Sequence, residues 1–156
     1  MELRPALPAD ALEVARVHVR AWQVGYRGLL PAAYLDGLRA EDRAARYTFD
    51  RTDGPRTTVA IDAGALVGFA TIHGAELCAL HVDPAAWGRG VGHALIAKAR
   101  ADLAAAGTAE AHVWVLVGNA RAERFYQRDG WTTDGTRRSD TVWGAAVDEL
   151  VYRRRL

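Results

Sequence analysis

Apolar positions recur along this chain at two periods, three-to-four and two, and the places where one gives way to the other divide it into elements. Leu12, Ala15, Val19, Trp22 and Tyr26 follow one another in steps of three and four, which predicts an amphipathic helix. Asp10-Ala11-Leu12-Glu13 opens it with the pattern of a capping box. Gly28 and Pro31 interrupt the stripe, and a short helix over Pro31 to Leu38 and a longer one over Glu41 to Asp50 are predicted to follow. Thr57 to Ile61 and Ala65 to Ile72, joined through Asp62-Ala63-Gly64, read as a hairpin. Glu76 to Val82 reads as a strand, and Val91, Leu95, Ala99 and Leu103 form the buried face of a helix that Gly107 ends. Ala111, Val113, Val115 and Val117 alternate with Glu110, His112, Trp114 and Leu116, so both faces are largely apolar and the strand is predicted to be central. Glu2 to Ala6 is a short first strand and Val147 to Arg154 a final one.

Composition narrows the class without naming a chemistry. Half of the 156 residues are hydrophobic, and neither a repeat nor a linker divides them, so a single domain over 1–156 is expected. The net charge is +1 with basic residues spread along the chain, which argues against a nucleic-acid partner. Arg153-Arg154-Arg155 follows a strand-like run and reads as a solvated edge. Cys78 is the only cysteine, so neither an internal disulfide nor a cysteine metal cluster is available. His18, His73 and His112 lack the carboxylate spacing of a metal site, and no metal is expected. The start has no apolar signal core and no run approaches a membrane span, so a cytoplasmic setting and no membrane partner are expected.

The segment with chemical content is Val82-Asp83-Pro84-Ala85-Ala86-Trp87-Gly88-Arg89-Gly90-Val91-Gly92-His93, a strand passing through a glycine-rich turn into a helix. Without Cβ atoms the turn lets a ligand approach the backbone closely, and the helix start offers unbonded N–H groups at the positive end of its dipole. That combination favours a phosphate or pyrophosphate. A dinucleotide fingerprint needs Gly-x-Gly-x-x-Gly and places its third glycine later, while a nucleoside-triphosphate loop needs a Lys that is missing here. Further on, Asn119 suits a helix N-cap, Ala122, Phe125 and Tyr126 share one face, and Gly130 suits a left-handed stop. A buried aromatic pair is the plain alternative for Phe125 and Tyr126.

Together these segments resemble the Gcn5-related N-acetyltransferases. Trp87 to Gly92 is similar to their Gln/Arg-x-x-Gly-x-Gly/Ala loop, with Trp87 where Gln or Arg is usual, and Asn119 to Trp131 is similar to their Asn-x-x-Ala-x-x-Phe-Tyr-x-x-x-Gly-Phe/Trp segment. The resemblance implies an α/β fold, a central mixed sheet with helices on both faces in which two strands splay. It implies acetyl-coenzyme A as acyl donor, its pantetheine on Leu80, His81 and Val82, its pyrophosphate on N–H groups of Arg89, Gly90, Val91, Gly92 and His93, and Asn119 and Tyr126 on the far side. Tyr126 matches the family's general acid. Glu76 leads the strand where histone-acetylating members carry their glutamate base; a solvent-facing strand end is its alternative. His81 competes as base, and strand alternation turns it away from Glu76 unless a bulge intervenes. His18 to Pro31 and Tyr34 to Leu38 resemble a bacterial subgroup that includes polyamine-acetylating members, which makes Trp22 and Tyr26 candidates for an aromatic wall against a cationic amine, or plain core.

The implied reaction is transfer of an acetyl group to a primary amine of a small molecule or peptide by direct attack. Two readings from other classes stand beside it. One is a module that binds acyl-coenzyme A without turning it over, against which Tyr126 and Glu76 argue. The other is a doubly wound nucleotide-binding domain, whose strand–helix alternation the hairpin breaks. A homodimer stays open, because no self-complementary edge is evident.

Overall fold

The structure is a computed structural model that describes residues 1–156. Strand β1 (Glu2–Pro5) pairs antiparallel with β2 (Arg56–Asp62), and β2 turns into β3 (Ala65–His73) through Ala63 and Gly64. Both turn residues have positive φ, +49° and +79°, the conformation that matches a tight turn to the right-handed twist of its strands. β4 (Glu76–Val82) follows, then β5 (Glu110–Leu116), β6 (Arg137–Val142) and β7 (Ala145–Arg155). They form one seven-stranded sheet in the order β1-β2-β3-β4-β5-β7-β6, antiparallel except between β4 and β5.

Helices cover both faces, as expected. On one lie α1 (Ala11–Gly25), α2 (Ala32–Asp36) and α3 (Ala40–Ala44). On the other lie α4 (Val91–Ala105) and α5 (Ala120–Arg128). Leu95, Ile96 and Leu103 of α4 pack with Leu77, Val113, Trp131 and Tyr152 into the larger core. Across the sheet, Val14 and Val17 of α1 pack on Val59 and Phe69, while Trp22 meets Leu30, Leu35 and Val147. Burying each such side chain stabilises the fold by about 1.5–3 kcal/mol, which is what holds short helices such as α2 in place.

Several local expectations change. Asp10 is no capping box for α1: its carboxylate accepts from the Leu7 backbone N–H at 2.7 Å and from Arg4 at 2.7 and 3.0 Å, tying the turn before α1 to β1. Leu12 is exposed, and the buried face of α1 runs instead through Val14, Ala15, Val17, His18, Val19, Ala21 and Trp22. The helix predicted from Glu41 to Asp50 is the five-residue α3, because nothing after Ala44 repeats with helical period. β5 ends at Leu116, although Val117 still donates to Asp148 at 2.9 Å.

Asp10 offers a stability test. The Arg4 guanidinium holds its carboxyl below the usual value, so its contribution is present above the unfolded carboxylate range and fades as pH falls through the lower folded value. Asp10→Ala is expected to cost about 1 kcal/mol, the usual worth of such a side-chain cap, read as a lower Tm at pH 7 and a smaller difference in acid.

Candidate active site

The central strand β4 carries a bulge. Thr71 pairs with Ala79 and Ile72 with Leu77, so Cys78 has no partner on β3. An extra residue reverses the alternation of side chains. Leu77, Leu80 and Val82 therefore all pack toward α4, and Ala79 packs with Phe69 toward α1. Glu76 and His81 consequently share the α1 face. His81 stacks on His18 with ring centroids 4.6 Å apart, and Glu76 lies 3.4 Å from His112 of β5.

Parallel pairing of β4 with β5 is confined to Glu76 opposite His112. Beyond that point the strands part, and a cleft of about 790 Å³ runs through the sheet between its two helical faces. That volume falls in the usual range for a small-molecule site.

On the α4 side the cleft meets the glycine turn. Gly88 and Gly90 have φ of +78° and +81°, with open space where a Cβ would stand. The first bond at the start of α4 runs from Ala94 to Gly90 at 3.0 Å, leaving the N–H groups of Val91, Gly92 and His93 without backbone partners. Gly92 has a different reason from the one its motif suggests. A Cβ there would sit 3.3 Å from the Phe125 ring, so its bareness lets α5 pack on α4. Arg89 turns its side chain away, 3.4 Å from Asp62, and can face the cleft only through its backbone. Trp87, where the loop pattern has Gln or Arg, donates from its indole to the Val82 carbonyl at 2.9 Å. The Arg121 guanidinium lies over its ring, 3.4 Å from the centroid. Arg121, Arg124 and Arg128 of α5 line this end of the cleft, a cationic side that α5's spacing of three and four shows once the helix is known.

Leu80, His81, Val82, Asn119 and Tyr126 also line the cleft. Asn119 caps α5 by accepting from Ala122 N–H at 3.2 Å. The far end of α5 is fixed by Asp129, which accepts two bonds from Arg100 at 2.8 and 3.1 Å and one from the Trp131 indole at 2.9 Å. Gly130, at φ +87°, makes the turn between them. So anchored, α5 holds Tyr126 with its ring buried against Phe125 and Trp131 and its hydroxyl bonded to no group of the chain. Burial, with Tyr26 and Asp129 nearby, pushes this phenol well above its ordinary value, so it stays protonated.

Across the splay stand Trp22 and Tyr26, their rings 4.9 Å apart and both lining the cleft. Burial, aided by Glu149, pushes the Tyr26 phenol up to about 12. Glu149 of β7 is the carboxylate that lines the cleft, and only 9% of it is exposed. Arg138 of β6 donates to it at 3.0 Å and lies over the Trp114 ring, 4.2 Å from the centroid. Burial raises the Glu149 carboxyl, Arg138 draws it back down, and Asp140 and Glu76 push it up again, leaving it raised. Glu76 itself is absent from the cleft lining, because the bulge sets it beside His112 at the closed end of the β4–β5 pair. His81 is half-buried and neutral, lowered to about 4 by desolvation and by Arg43, and its Nε2 faces the Trp22 indole donor at 3.4 Å.

Sequence pattern does not mark Arg138, which lies on the edge strand β6, and it does not mark Glu149 on β7, whose place in the cleft depends on the pairing of β7 with β5. Arg137 to Val142 is polar and sits at the sheet edge, and its turn to β7 is Trp143-Gly144, both at positive φ, in place of the Asn-Gly that marks such turns. Trp143 takes that conformation while packing on Trp22 at 5.2 Å and His18 at 5.0 Å.

Comparison with known proteins agrees with this architecture. At 26% identity, a Gcn5-related N-acetyltransferase from Rhodopseudomonas palustris superposes with a TM-score of 0.84, over 99% of this chain and 95% of its own. The PaiA N-acetyltransferase of Thermoplasma acidophilum, solved with coenzyme A, shares the fold at a TM-score of 0.81 and 18% identity, covering 99% and 98%. In sequence, the uncharacterized N-acetyltransferase YuaI of Bacillus subtilis is 29% identical over 135 residues, 80% of this chain and 76% of the relative. An uncharacterized N-acetyltransferase of Mycobacterium tuberculosis is 30% identical over 139 residues, 82% and 86%. The family model described as Acetyltransferase (GNAT) family matches residues 20–131, from α1 to the Trp131 that anchors α5, and the chain belongs to that family of N-acetyltransferases.

Proposed function

We propose that this enzyme transfers the acetyl group of acetyl-coenzyme A to a primary amine of a small molecule or peptide by direct attack. One continuous cleft carries the reading: three helix N–H groups without backbone partners open onto it, and an unpartnered phenol and a carboxylate, Tyr126 and Glu149, both line it. The donor supplies an activated thioester. Backbone groups of Gly90 to His93 suit its pyrophosphate, with Arg121 supplying the cation that Trp87 does not. The bulged strand offers the edge of Leu80 to Val82 to the pantetheine amides in the manner of an added strand.

Glu149 is our choice for removing the amine's proton, in place of Glu76, because it lines the cleft and its raised carboxyl is the stronger base. Tyr126 then gives its proton to the departing sulfur, which leaves as a thiol. The phenol carries no charge before this transfer, and the phenolate it leaves takes up the second proton that the nitrogen loses as the amide forms.

The donor half of the proposal is tested at Gly90. Its φ of +81° is strained for any residue with a branched side chain, and the added bulk would stand in the open space before α4. Gly90→Val is expected to weaken acetyl-coenzyme A binding by tenfold or more, by calorimetry, with the rest of the fold intact by circular dichroism. Unchanged affinity would place the pyrophosphate elsewhere. Gly92 is the poorer probe, since a side chain there strikes Phe125 first.

A further inference from the structure

The acceptor end of the cleft has a charge at each side of an aromatic wall. Glu149 lies beside Tyr26; Tyr26 packs on Trp22 at 4.9 Å; Trp22 packs on Trp143 at 5.2 Å; and the Arg43 guanidinium lies over Trp143, 5.2 Å from the ring centroid. Arg43 and Glu149 both line the cleft. Glu149 is paired with Arg138, whereas Arg43 makes no ion pair, and its Nε is fully buried with no hydrogen-bond partner. A buried guanidinium nitrogen left without an acceptor costs stability, and such a group in a binding cleft points to an anion that completes it. Its neighbours supply no anion: His18 and His81 are neutral, Trp143 presents its ring, and the Tyr47 hydroxyl beside the guanidinium carries no charge. A planar guanidinium is suited to a carboxylate.

Resting on the amine-acetylating reading above, we propose that the acceptor carries a carboxylate as well as its amine, with the amine toward Glu149 and Tyr126, the carboxylate on Arg43, and Trp22 and Tyr26 along its apolar middle. Amino-carboxylates whose amine and carboxylate are separated by a run of methylenes fit this placement, whereas an α-amino acid, with both groups on one carbon, does not span it. A polyamine does not fit it either, because its second ammonium would face the unpaired cation of Arg43.

The test uses acceptors in matched pairs that differ only in the carboxylate: 5-aminopentanoate with butylamine, 6-aminohexanoate with pentylamine, and 8-aminooctanoate with heptylamine. Thiol release from acetyl-coenzyme A gives kcat/KM for each. At least one carboxylated member is expected to exceed its partner by tenfold or more, mainly through KM. Arg43→Gln should erase that preference by lowering the carboxylated member alone, and Arg43→Lys should keep part of it. Circular dichroism and Tm confirm that both variants fold. Equal or better use of the amines without a carboxylate, or a preference that survives Arg43→Gln, would overturn the proposal and leave amine acetylation standing. No thiol release with any of these acceptors, while polyamines or aminoglycosides are acetylated, would also overturn it. No release with any amine, despite tight acetyl-coenzyme A binding, would overturn the amine-acetylating reading itself.

Discussion

Replacing Tyr126 with Phe is expected to lower kcat by about 10²–10⁴-fold, the usual worth of one acid–base group, with acetyl-coenzyme A affinity and Tm close to the parent's. The ring keeps its packing on Phe125, 5.2 Å away, and Trp131, 5.7 Å away. Its hydroxyl bonds nothing in the chain, so removing it leaves no buried partner unsatisfied. An effect on kcat without one on binding or stability separates proton donation from an ordinary core tyrosine, whose loss of hydroxyl would leave kcat unchanged. Single-turnover rates and calorimetry on the same variant read both quantities.

Glu149→Gln is expected to have a comparable effect, with a different pH dependence. At neutral pH, where the acceptor is mainly ammonium, kcat/KM should fall by about 10²–10⁴-fold, and it should recover in part as rising pH supplies free amine. As the proposed base, Glu149 would act in its ionised form, and burial raises its carboxyl. The lower limb of the parent's profile should therefore lie above the ordinary glutamate range. Arg138 opposes that rise from 3.0 Å, so Arg138→Met should move the lower limb to higher pH while retaining the base. Glu76→Gln, at the closed end of the strand pair, should stay near the parent throughout. A Glu76→Gln variant that loses the limb while Glu149→Gln keeps it would return the role to Glu76.

Much of this arrangement can be read before any fold is known, because its signals are local. The glycine turn into α4, the Asn119 cap, the Gly130 stop and the hairpin at Ala63-Gly64 each depend on a few adjacent residues, and each stands where the spacing predicts. What stays hidden depends on partners distant in sequence. The bulge at Cys78 is a property of register against Thr71 and Ile72, and it alone decides that Glu76 and His81 share a face. Glu149 looks like one more polar position of an edge hairpin until β7 is paired with β5, which sets it opposite Leu116 and facing the splay. Arg43 sits in a helix of five residues with no periodic signal, and only the approach of the β6–β7 turn places Trp143 beneath it. Gly92 reads as a ligand-facing glycine from its motif, and only the packing of α5 reveals Phe125 against it.

The proposed reaction is direct transfer of the acetyl group from acetyl-coenzyme A to an amine held in the same cleft. Its most direct measurement is thiol release from acetyl-coenzyme A against a panel of amino acids, polyamines, aminoglycosides and peptide N-termini, with mass spectrometry of acceptor and enzyme from the same reactions. Release should depend on the amine, the acceptor should become heavier by one acetyl group, and the enzyme should carry no acetyl group when acetyl-coenzyme A is present alone. Tight binding of acetyl-coenzyme A with no release under any amine would contradict it and make the protein a sensor, and an acetylated enzyme that passes its group on in a second step would contradict direct attack.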